Sequence, residues 1–375
     1  MVEIIPVTNK SLLYKFIDFP NELYANDKNY VPHLMISQKK LFNFKKNPFF
    51  KHAEAQLFLA LKNKKIVGRI CAHINYTHNS FYNTNDGFFG FFDCINDKEV
   101  AFKLFEVAIS YLRQKKVDRV IGPANFSSNE TIGLLIEGFD SPPYIMMPYN
   151  YSYYKDLIEN FGFQKYYDIW AYKLNLENVS SKIFSPIFEN IEERLNKNGI
   201  IIRKINLKNF EEEVKKIHYI YNKAWDKNTG FVPMNEEEFF YAAKDLKLII
   251  DKDFAYIAEK NGEPAGFILV IPDINIILKN IKRGKLFPTG IFKLLFFKKK
   301  IKQYRVILLG ILEEYRKMGI EICFYIKIAR EAVKKGIYEG EASWILENNF
   351  LMNKALKTIN AIKYKTYRIY YKSLT

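Results

Sequence analysis

The chain has 375 residues, 49% of them hydrophobic, and its 57 Lys and Arg outnumber 41 Asp and Glu, which gives a formal net charge of +16. This length suits two domains of roughly 150–200 residues each, and the apolar content excludes general disorder. The positive excess favours anionic partners such as lipid surfaces, nucleic acids or phosphorylated small molecules. The alternative is a composition rich in Lys, Ile, Asn and Tyr throughout, as A·T-rich genomes produce.

The N-terminal segment and the cysteines indicate the compartment. Residues 1–16 lack a basic head followed by an unbroken apolar run, so we expect no signal peptide. No apolar stretch approaches the roughly 18 residues of a transmembrane helix. Cys71, Cys94 and Cys323 lie too far apart for a disulfide framework, and a reducing cytoplasm is therefore expected.

The predicted elements repeat at a long period. Residues 54–74 and 252–272 each predict a β-hairpin, with an apolar strand, a turn containing Lys-Asn, and a glycine before a second apolar strand. The two glycines are 198 residues apart, and the same offset recurs in other elements. The pairs at this offset are Ile4 and Ile202, Gly68 and Gly266, and Gly162 and Asn360.

Each half predicts the same α/β order: a strand, a helix, the hairpin, a fourth strand, a long helix, a fifth strand, a helix and a closing strand pair. In the second half, "YRVILLGIL" precedes a helix at 319–335, a strand at 339–346 and a helix at 348–358. We therefore expect two duplicated mixed-sheet domains, 1–180 and 190–375, joined near 174–190. Ligands are expected beside the carboxyl ends of the central strands.

The second half contains a corner where the fourth strand gives way to the long helix. In "RKMGIE" (316–321), two basic residues precede a glycine that opens the helix. A helix start offers unpaired N–H donors and the positive end of its dipole, and glycine lets the backbone approach an anion closely. The corner predicts a phosphate site, and the alternative is an ordinary connection that happens to contain glycine.

The element order and this corner resemble the GNAT acyltransferase superfamily, whose motif [Gln/Arg]-x-x-Gly-x-[Gly/Ala] follows the fourth strand. The resemblance spans both halves and implies tandem GNAT-like domains, each with a mixed, mostly antiparallel central sheet flanked by helices. It implies that the corner holds the pyrophosphate of acetyl-CoA or another acyl-CoA, and that the fourth strand pairs with the pantetheine arm. The residues implied in cofactor binding are Leu309, Gly310, Ile311, Arg316, Lys317, Met318, Gly319, Ile320, Glu321 and Asn349.

The sequence departs from the family pattern at three places. Glu321 puts a carboxylate at the final small position of the motif, and Leu356 stands where family members often carry a tyrosine that protonates the leaving thiolate. The corresponding corner of the first half, 93–103, has no Arg-x-x-Gly. We therefore expect the cofactor in the second half only. The alternative is a catalytically inactive GNAT-fold binding protein.

Residues 125–154 form a long polar and aromatic segment that is too apolar for disorder. Segments of this length inside a compact domain are usually functional, although a packed connection is an alternative. The segment resembles one in bacterial tandem GNAT-like proteins, some tied to N-acylation of sphingoid bases. The predicted acceptor-binding residues are Asn129, Glu130, Glu137, Asp140, Asn150 and Tyr154, with Trp344 and Glu347 on the fifth strand and its exit.

The resemblance implies acyl transfer to a primary amine, which is an ammonium at neutral pH and must lose a proton before it attacks a thioester. A carboxylate, acting directly or through water, is the usual proton acceptor. The residues predicted for this chemistry follow the fourth strand or lie on the fifth: Glu313, Glu314, Glu341 and Ser343. Solvated charge at strand ends is the alternative.

Residues 276–305 contain eight Lys and two Arg but no acidic residue, interleaved with Ile, Leu and Phe. This pattern predicts a membrane-surface element, and the alternative is a core-packing helix with a basic edge. A nucleic-acid groove would need aromatic platforms along a basic face, so no nucleic acid is expected. The predicted partners are a small-molecule or amphiphilic amine and a peripheral membrane contact.

Two further motifs carry no function. Cys71, His73 and His78 suggest zinc, but no fourth ligand is evident and we expect no metal. The stretch "AREAVKKG" resembles the end of a Nudix box but lacks the paired glutamates that would hold magnesium, which excludes a pyrophosphohydrolase.

Overall fold

The computed structural model describes residues 1–177 and 186–374. The first half begins with a strand and a helix, continues into a long hairpin, and ends in a strand of 12 residues. Its strands are β1 (Val2–Pro6), β2 (Ala53–Lys62), β3 (Lys65–Asn75), β4 (Asp86–Cys94), β5 (Arg119–Gly122), β6 (Ala124–Asn125), β7 (Thr131–Ile132), β8 (Leu134–Glu137) and β9 (Gln164–Asn175). Its helices are α1 (Lys10–Leu23), α2 (Met35–Leu41), α3 (Tyr76–Tyr82), α4 (Lys98–Gln114) and α5 (Tyr154–Asn160).

The second half repeats this order after a preceding helix. Its strands are β10 (Ile200–Lys204), β11 (Ala255–Lys260), β12 (Glu263–Pro272), β13 (Gln303–Ile311), β14 (Glu339–Leu346) and β15 (Ile362–Ser373). Its helices are α6 (Pro186–Lys197), α7 (Phe210–Ala224), α8 (Glu236–Lys247), α9 (Asn275–Leu278), α10 (Gly290–Phe297), α11 (Ile320–Lys334) and α12 (Phe350–Thr358).

The repeated hairpins have the same geometry. Ala60 pairs with Gly68 and Ala258 with Gly266, and the register shifts at the next residue in both hairpins. Each turn has two consecutive residues with positive φ, starting at Asn63 or Asn261, as a two-residue hairpin requires. The offset of 198 residues is therefore a structural repeat.

The two halves share one mixed sheet, which has 13 strands within the described residues. The strand order is β1-β2-β3-β4-β5-β15-β9-β14-β13-β12-β11-β10, and β8 also pairs with β15. The last strand of each half thus pairs with the fifth strand of the other half, and these two exchanged strands pair with each other in antiparallel orientation. Helices such as α4, α7 and α11 pack on the sheet and cover its apolar side chains.

One detail differs from the sequence prediction. A closing strand pair was expected in each half, but each half closes with a single 12-residue strand that crosses to the other half. Alternating side chains mark β9 and β15 as strands, but this pattern does not specify which strand edge they join. The expected join at 174–190 includes 178–185, which lie outside the described residues.

The strand exchange predicts that the first half does not fold alone. Residues 1–180 expressed without β15 would leave β5 and β9 with unpaired edges, which promote aggregation. We expect this fragment to be insoluble or to lose cooperative thermal unfolding, and co-expression with 186–375 to restore a soluble complex. Circular dichroism melts of the purified proteins measure this. A soluble 1–180 fragment with a cooperative melt would contradict it.

Candidate active site

Strands β13 and β14 separate in the middle of the sheet. Their parallel pairing covers Gln303–Val306 against Glu339–Ala342, although β13 continues to Ile311 and β14 to Leu346. Beyond Val306, the β14 side of β13 has no strand partner within the described residues. The predicted cofactor contacts Leu309, Gly310 and Ile311 all lie on this stretch of β13.

Two irregularities shape the gap. The pairing of β12 with β13 shifts between Leu269 and Val270, so that Ile307 on β13 has no paired residue on β12. A Cβ at Gly310 would lie 3.2 Å from the ring of Trp225, so this glycine permits close packing with the residue that follows α7. Trp344 on β14 has a φ of +61°, a strained conformation of the kind that clusters at functional sites.

The corner after β13 has the backbone form of an anion site. Gly319 has a φ of +100°, and no side chain within 1–177 or 186–374 caps the helix that begins at Ile320. The first N–H groups of α11, which like those of any helix have no intrahelical partners, are therefore also without a side-chain partner in these ranges. Arg316 donates to the carbonyl oxygens of Ile311 and Ala224, at 3.2 and 2.8 Å, and its guanidinium therefore fastens the corner to α7. Lys317 is exposed.

Glu321 lies in the first turn of α11 and is partly buried. Its Oε2 atom is buried without a hydrogen-bond partner within the described residues. Arg194 on α6 donates to the carbonyl oxygen of Met318 at 3.2 Å, so α6 packs beside the same corner. Asn349 accepts a bond from the N–H of Met352 and caps α12.

The first half has counterparts of the helix start at α11 and of the gap between β13 and β14, and both are filled by atoms of the protein itself. The carboxylate of Asp97 caps the start of α4 and accepts the N–H groups of Glu99 and Val100. A Cβ at Gly90 would overlap the carbonyl oxygen of Ala124, and the side chain of Asn125 accepts the N–H of Phe91 at 2.7 Å. The gap between β4 and β5 is thus closed by β6.

A cavity of about 780 Å³ lies between the two halves and reaches the gap between β13 and β14. Its walls are mainly apolar, and Ile307 and Leu308 of β13 form part of them. Three of the predicted acceptor-binding residues, Asn129, Glu130 and Trp344, line it. The other predicted acceptor residues do not.

The segment 125–154 forms one wall of this cavity and is fastened to the second half. Arg305 donates to the carbonyl oxygen of Ile145 at 2.6 Å, and Asp273 accepts the N–H of Ile145 at 2.9 Å. Lys365 on β15 donates to the carbonyl oxygen of Ser141 at 2.8 Å. This wall is therefore built on buried polar contacts.

Glu130 is the cavity carboxylate best suited to accept a proton. Burial, with a smaller contribution from the negative charge of Asp245, raises its pKa to about 7 against the opposing effect of Lys40. The neighbouring Asn129 donates to the carbonyl oxygen of Val232 at 3.2 Å and accepts the hydroxyl of Tyr221 on α7. Glu130 therefore stands close to α7, which packs on β13.

A buried polar cluster lies behind the cavity wall. Arg305 is 1% exposed, and its Nε donates to Ser343 at 2.6 Å and lies 3.4 Å from the carboxylate of Glu341. Glu341 is fully buried and accepts the hydroxyl of Tyr364. Burial raises the pKa of Glu341, whereas Arg305 and the Tyr364 hydroxyl lower it. Arg305 lines the cavity, but Glu341 and Ser343 do not.

Sequence reasoning predicted Glu341, Ser343 and Trp344 but missed Arg305 and Tyr364. The guanidinium of Arg305 lies 5.1 Å from the centre of the Trp344 ring, a cation–π contact. A single basic residue within the apolar stretch "YRVILLG" was the available signal, because a buried charge needs a buried partner.

The remaining predicted residues lie outside the cavity. Glu313 is exposed and pairs with Lys227 at 2.6 Å, and Glu314 is exposed. Glu347 accepts the N–H of Asp168 at 2.9 Å. Two residues of the 125–154 segment are exposed: Glu137, which pairs with Lys363, and Asp140. Two others are buried away from the cavity: Asn150 accepts the N–H of Leu135, and Tyr154 accepts the N–H of Cys94.

The structure also shows the surroundings of the leucine at the family's tyrosine position and of the histidines that had suggested zinc. Leu356 is 6% exposed and packs with Tyr172 and Ala342. His73 contacts the carbonyl oxygen of Phe126, and His78 contacts Asp86. Within residues 1–177 and 186–374, no group of three or more His, Cys, Asp or Glu could hold a metal ion. No helix in the same ranges is long and apolar enough to cross a membrane.

Comparison with known proteins identifies relatives along the whole chain. The sequence is 37% identical to protein YghO of Escherichia coli over 98% of this chain and 94% of that protein. It is 34% identical to the bacterial ceramide synthase of Caulobacter vibrioides over 100% of this chain and 98% of the synthase. No protein-family model matches the sequence.

Solved structures show the same fold at low sequence identity. A tandem GNAT protein from the clavulanic acid biosynthesis pathway superimposes with a TM-score of 0.59 at 9% identity, covering 100% of this chain and 98% of that one. A GCN5-related N-acetyltransferase from Sphaerobacter thermophilus gives 0.53 at 10% identity, covering 99% and 95%. The chain therefore belongs to the family of tandem GNAT-fold acyltransferases that includes the bacterial ceramide synthase of Caulobacter vibrioides.

Proposed function

We propose that this chain is an acyl-CoA-dependent N-acyltransferase that transfers a long acyl group to the primary amine of an amphiphile, such as a sphingoid-like base. The observation that carries the proposal is the apolar cavity of about 780 Å³ that reaches the separated strands. Ligand pockets span about 300–1,000 Å³, and an acetyl group would use little of this space. The relative named bacterial ceramide synthase supports a lipid amine as acceptor.

The acyl-CoA site is proposed in the second half. The N–H groups at the start of α11 are available for a pyrophosphate, and the free side of β13 offers backbone groups to a pantetheine arm. In the first half, Asp97 occupies the helix start and Asn125 occupies the strand gap. One acyl-CoA per chain is therefore expected.

The proposed reaction is direct attack of the amine on the thioester. The ammonium first gives a proton to Glu130, whose raised pKa suits proton exchange near neutral pH. The amine nitrogen then bonds to the carbonyl carbon while an N–H of β13 stabilises the oxyanion. The C–S bond breaks, the product amide gives its remaining extra proton to water, and the thiolate of CoA takes a proton from water, since Leu356 supplies none. Glu130 then releases its proton to solvent and returns to the carboxylate form.

The test uses the purified full chain with acetyl-CoA and palmitoyl-CoA and a long-chain amino alcohol. Release of CoA is followed with a thiol reagent, and the amide is identified by mass spectrometry. We expect turnover with palmitoyl-CoA at a higher kcat/KM than with acetyl-CoA. Failure to form an amide from either donor would refute catalysis, and a preference for acetyl-CoA would refute the long-chain assignment.

A second candidate function is that of a catalytically inactive GNAT-fold binding protein. It is favoured by Glu321, whose unpartnered buried carboxylate lies in the first turn of α11, where it would repel the pyrophosphate of a productively bound acyl-CoA. Thermal unfolding with palmitoyl-CoA separates the cases. Stabilisation by the ligand without amide formation would support the binding protein, whereas stabilisation with turnover would support the enzyme.

Substituting Gly319 by Ala is expected to weaken acyl-CoA binding by roughly tenfold or more. The change strains a backbone with a φ of +100° and adds a methyl group at the anion site, 3.1 Å from Ile191. Gly262→Ala is the matched control, because Gly262 has a φ of +90° in a hairpin turn with nothing within 4 Å. Titration calorimetry with CoA measures the effect. Equal affinity in both variants would place the pyrophosphate elsewhere.

A further inference from the structure

Helix α10 is apolar on both of its faces. Ile291 and Leu294 face inward and line the cavity, whereas Phe292 and Phe296 are 59% and 73% exposed. A surface helix of a soluble protein normally turns polar side chains toward water. The outer face of α10 therefore lacks the partner that its composition requires.

The exposed side chains of α10 continue into a larger apolar surface, which we call the apolar rim. Leu248 and Leu295 are exposed and also line the cavity, so the cavity opens to the surface beside them. Lys298 donates to the carbonyl oxygen of Leu248 at 2.6 Å, which joins the end of α10 to the segment after α8. The apolar rim consists of Leu248, Phe287, Phe292, Leu295, Phe296 and Phe297, each 49–74% exposed.

The segment that carries most of the rim is rich in positive charge. Residues 276–305 contain no acidic residue, and of their basic residues Arg305 is inside the protein. Among the described side chains of this region, the exposed lysines are Lys279, Lys282, Lys285, Lys293, Lys300 and Lys302. A rim of aromatic and aliphatic side chains beside lysines matches the acyl and headgroup layers of an anionic bilayer.

The remaining residues of 276–305 hold this surface in place. Ile277, Leu278, Ile281 and Ile301 are 2–6% exposed and pack into the core of the second half. The two interpretations of residues 276–305, a membrane-surface element and a core-packing helix with a basic edge, therefore apply to different parts of this segment. Its ends pack mainly into the core, although Ile276 is 42% exposed, and its other exposed apolar side chains lie within 287–297.

We propose that the apolar rim docks on a bilayer with anionic headgroups and that the amphiphilic amine enters the cavity there without crossing water. A bilayer fits better than a protein partner, because the charged residues within 287–302, the segment that carries most of the rim, are all lysines and the cavity opens beside Leu248 and Leu295 of the rim. Entry of the substrate rests on the proposed function, whereas docking does not.

The test is flotation of the purified full chain with vesicles, which requires no catalysis. The wild-type protein is expected to float with vesicles of phosphatidylglycerol and phosphatidylcholine, and less as salt rises. The double variant Phe292→Ser/Phe296→Ser, which leaves the cavity lining intact, is expected to bind these vesicles roughly tenfold more weakly. Its turnover of a soluble short-chain amine should match the wild type, while turnover of a vesicle-embedded amine falls.

The control is Phe350→Ser/Leu351→Ser, which removes two side chains of 79% and 83% exposure from α12. It should float as the wild type does. Failure of the wild-type protein to float, equal flotation of the rim variant, or loss of flotation in the α12 variant would each overturn the proposal. A dimer seen by light scattering that the rim variant abolishes would assign the rim to a second copy of the chain and also overturn it.

Discussion

Replacing Glu130 by Gln is expected to lower kcat by roughly 10²–10⁴-fold, the range of general-base catalysis. Glu130 lines the cavity, and burial raises its pKa to about 7. Since the carboxylate must be ionised to accept a proton, the wild-type rate should rise with pH through about 7 and then level off. Glutamine cannot accept the proton, so this rise should disappear from the profile of kcat against pH.

Two further variants separate catalysis from a general effect on the segment. Asp245→Asn removes a negative charge that raises the pKa of Glu130, so the rise in rate should move to lower pH. Glu137→Gln changes an exposed glutamate of the same segment that pairs with Lys363 outside the cavity, and should leave the profile unchanged. A Glu130→Gln enzyme with wild-type kcat and pH dependence would show that another group accepts the proton.

Features that depend on neighbouring residues could be predicted from the sequence. The two hairpins follow from short turns starting at Asn63 and Asn261, where the signal and the structure are both local. The corner at Gly319 likewise follows from a few consecutive residues, and β14 and α11 agree with the sequence to within a residue. Local patterns were sufficient to predict the duplicated α/β order.

Features that depend on distant residues could not be predicted. The exchange of β9 and β15 depends on which sheet edges are free after each half has formed, and strand patterns do not record this. Arg305 was counted as surface charge, because its partner Glu341 is 36 residues away and only the parallel register of β13 and β14 brings them together. Glu130 was singled out as a polar residue in a long segment, but its place in a cavity between the halves required the structure.

The two copies of the fold differ in one physical respect that decides where a ligand can bind. In the first half, β6 runs along the gap between β4 and β5, and Asn125 satisfies a backbone N–H there. In the second half, Trp344 within β14 has a positive φ, and the gap between β13 and β14 stays open beyond Val306. Closing the first gap satisfies backbone groups within the chain, whereas leaving the second open costs backbone hydrogen bonds, which the pantetheine arm of the proposed acyl-CoA would restore.

Arg305→Met is expected to destabilise the protein by about 3–5 kcal/mol, the cost of removing one partner from a buried ion pair. Arg305 and Glu341 are 1% and 0% exposed, so the variant leaves a carboxylate without its cation in the protein interior. Urea unfolding measures the loss. The double variant Arg305→Met/Glu341→Gln removes the charge as well and should recover much of the stability, although Ser343 and Ile145 still lose a donor.

The pH dependence identifies the cause of that loss. Burial already raises the pKa of Glu341, and Arg305 opposes the rise, so without Arg305 the pKa rises further. A folded-state pKa above the unfolded value near 4.5 means that the folded protein binds more protons, so its stability falls as pH increases through the raised pKa. The Arg305→Met variant should thus lose more stability at pH 8 than at pH 5, and the double variant should not. Lys227→Met, which breaks the exposed pair with Glu313, should change stability little at either pH. A pH-independent loss in Arg305→Met would instead mean that its bonds to Ser343 and Ile145, and not its charge, hold the cavity wall in place.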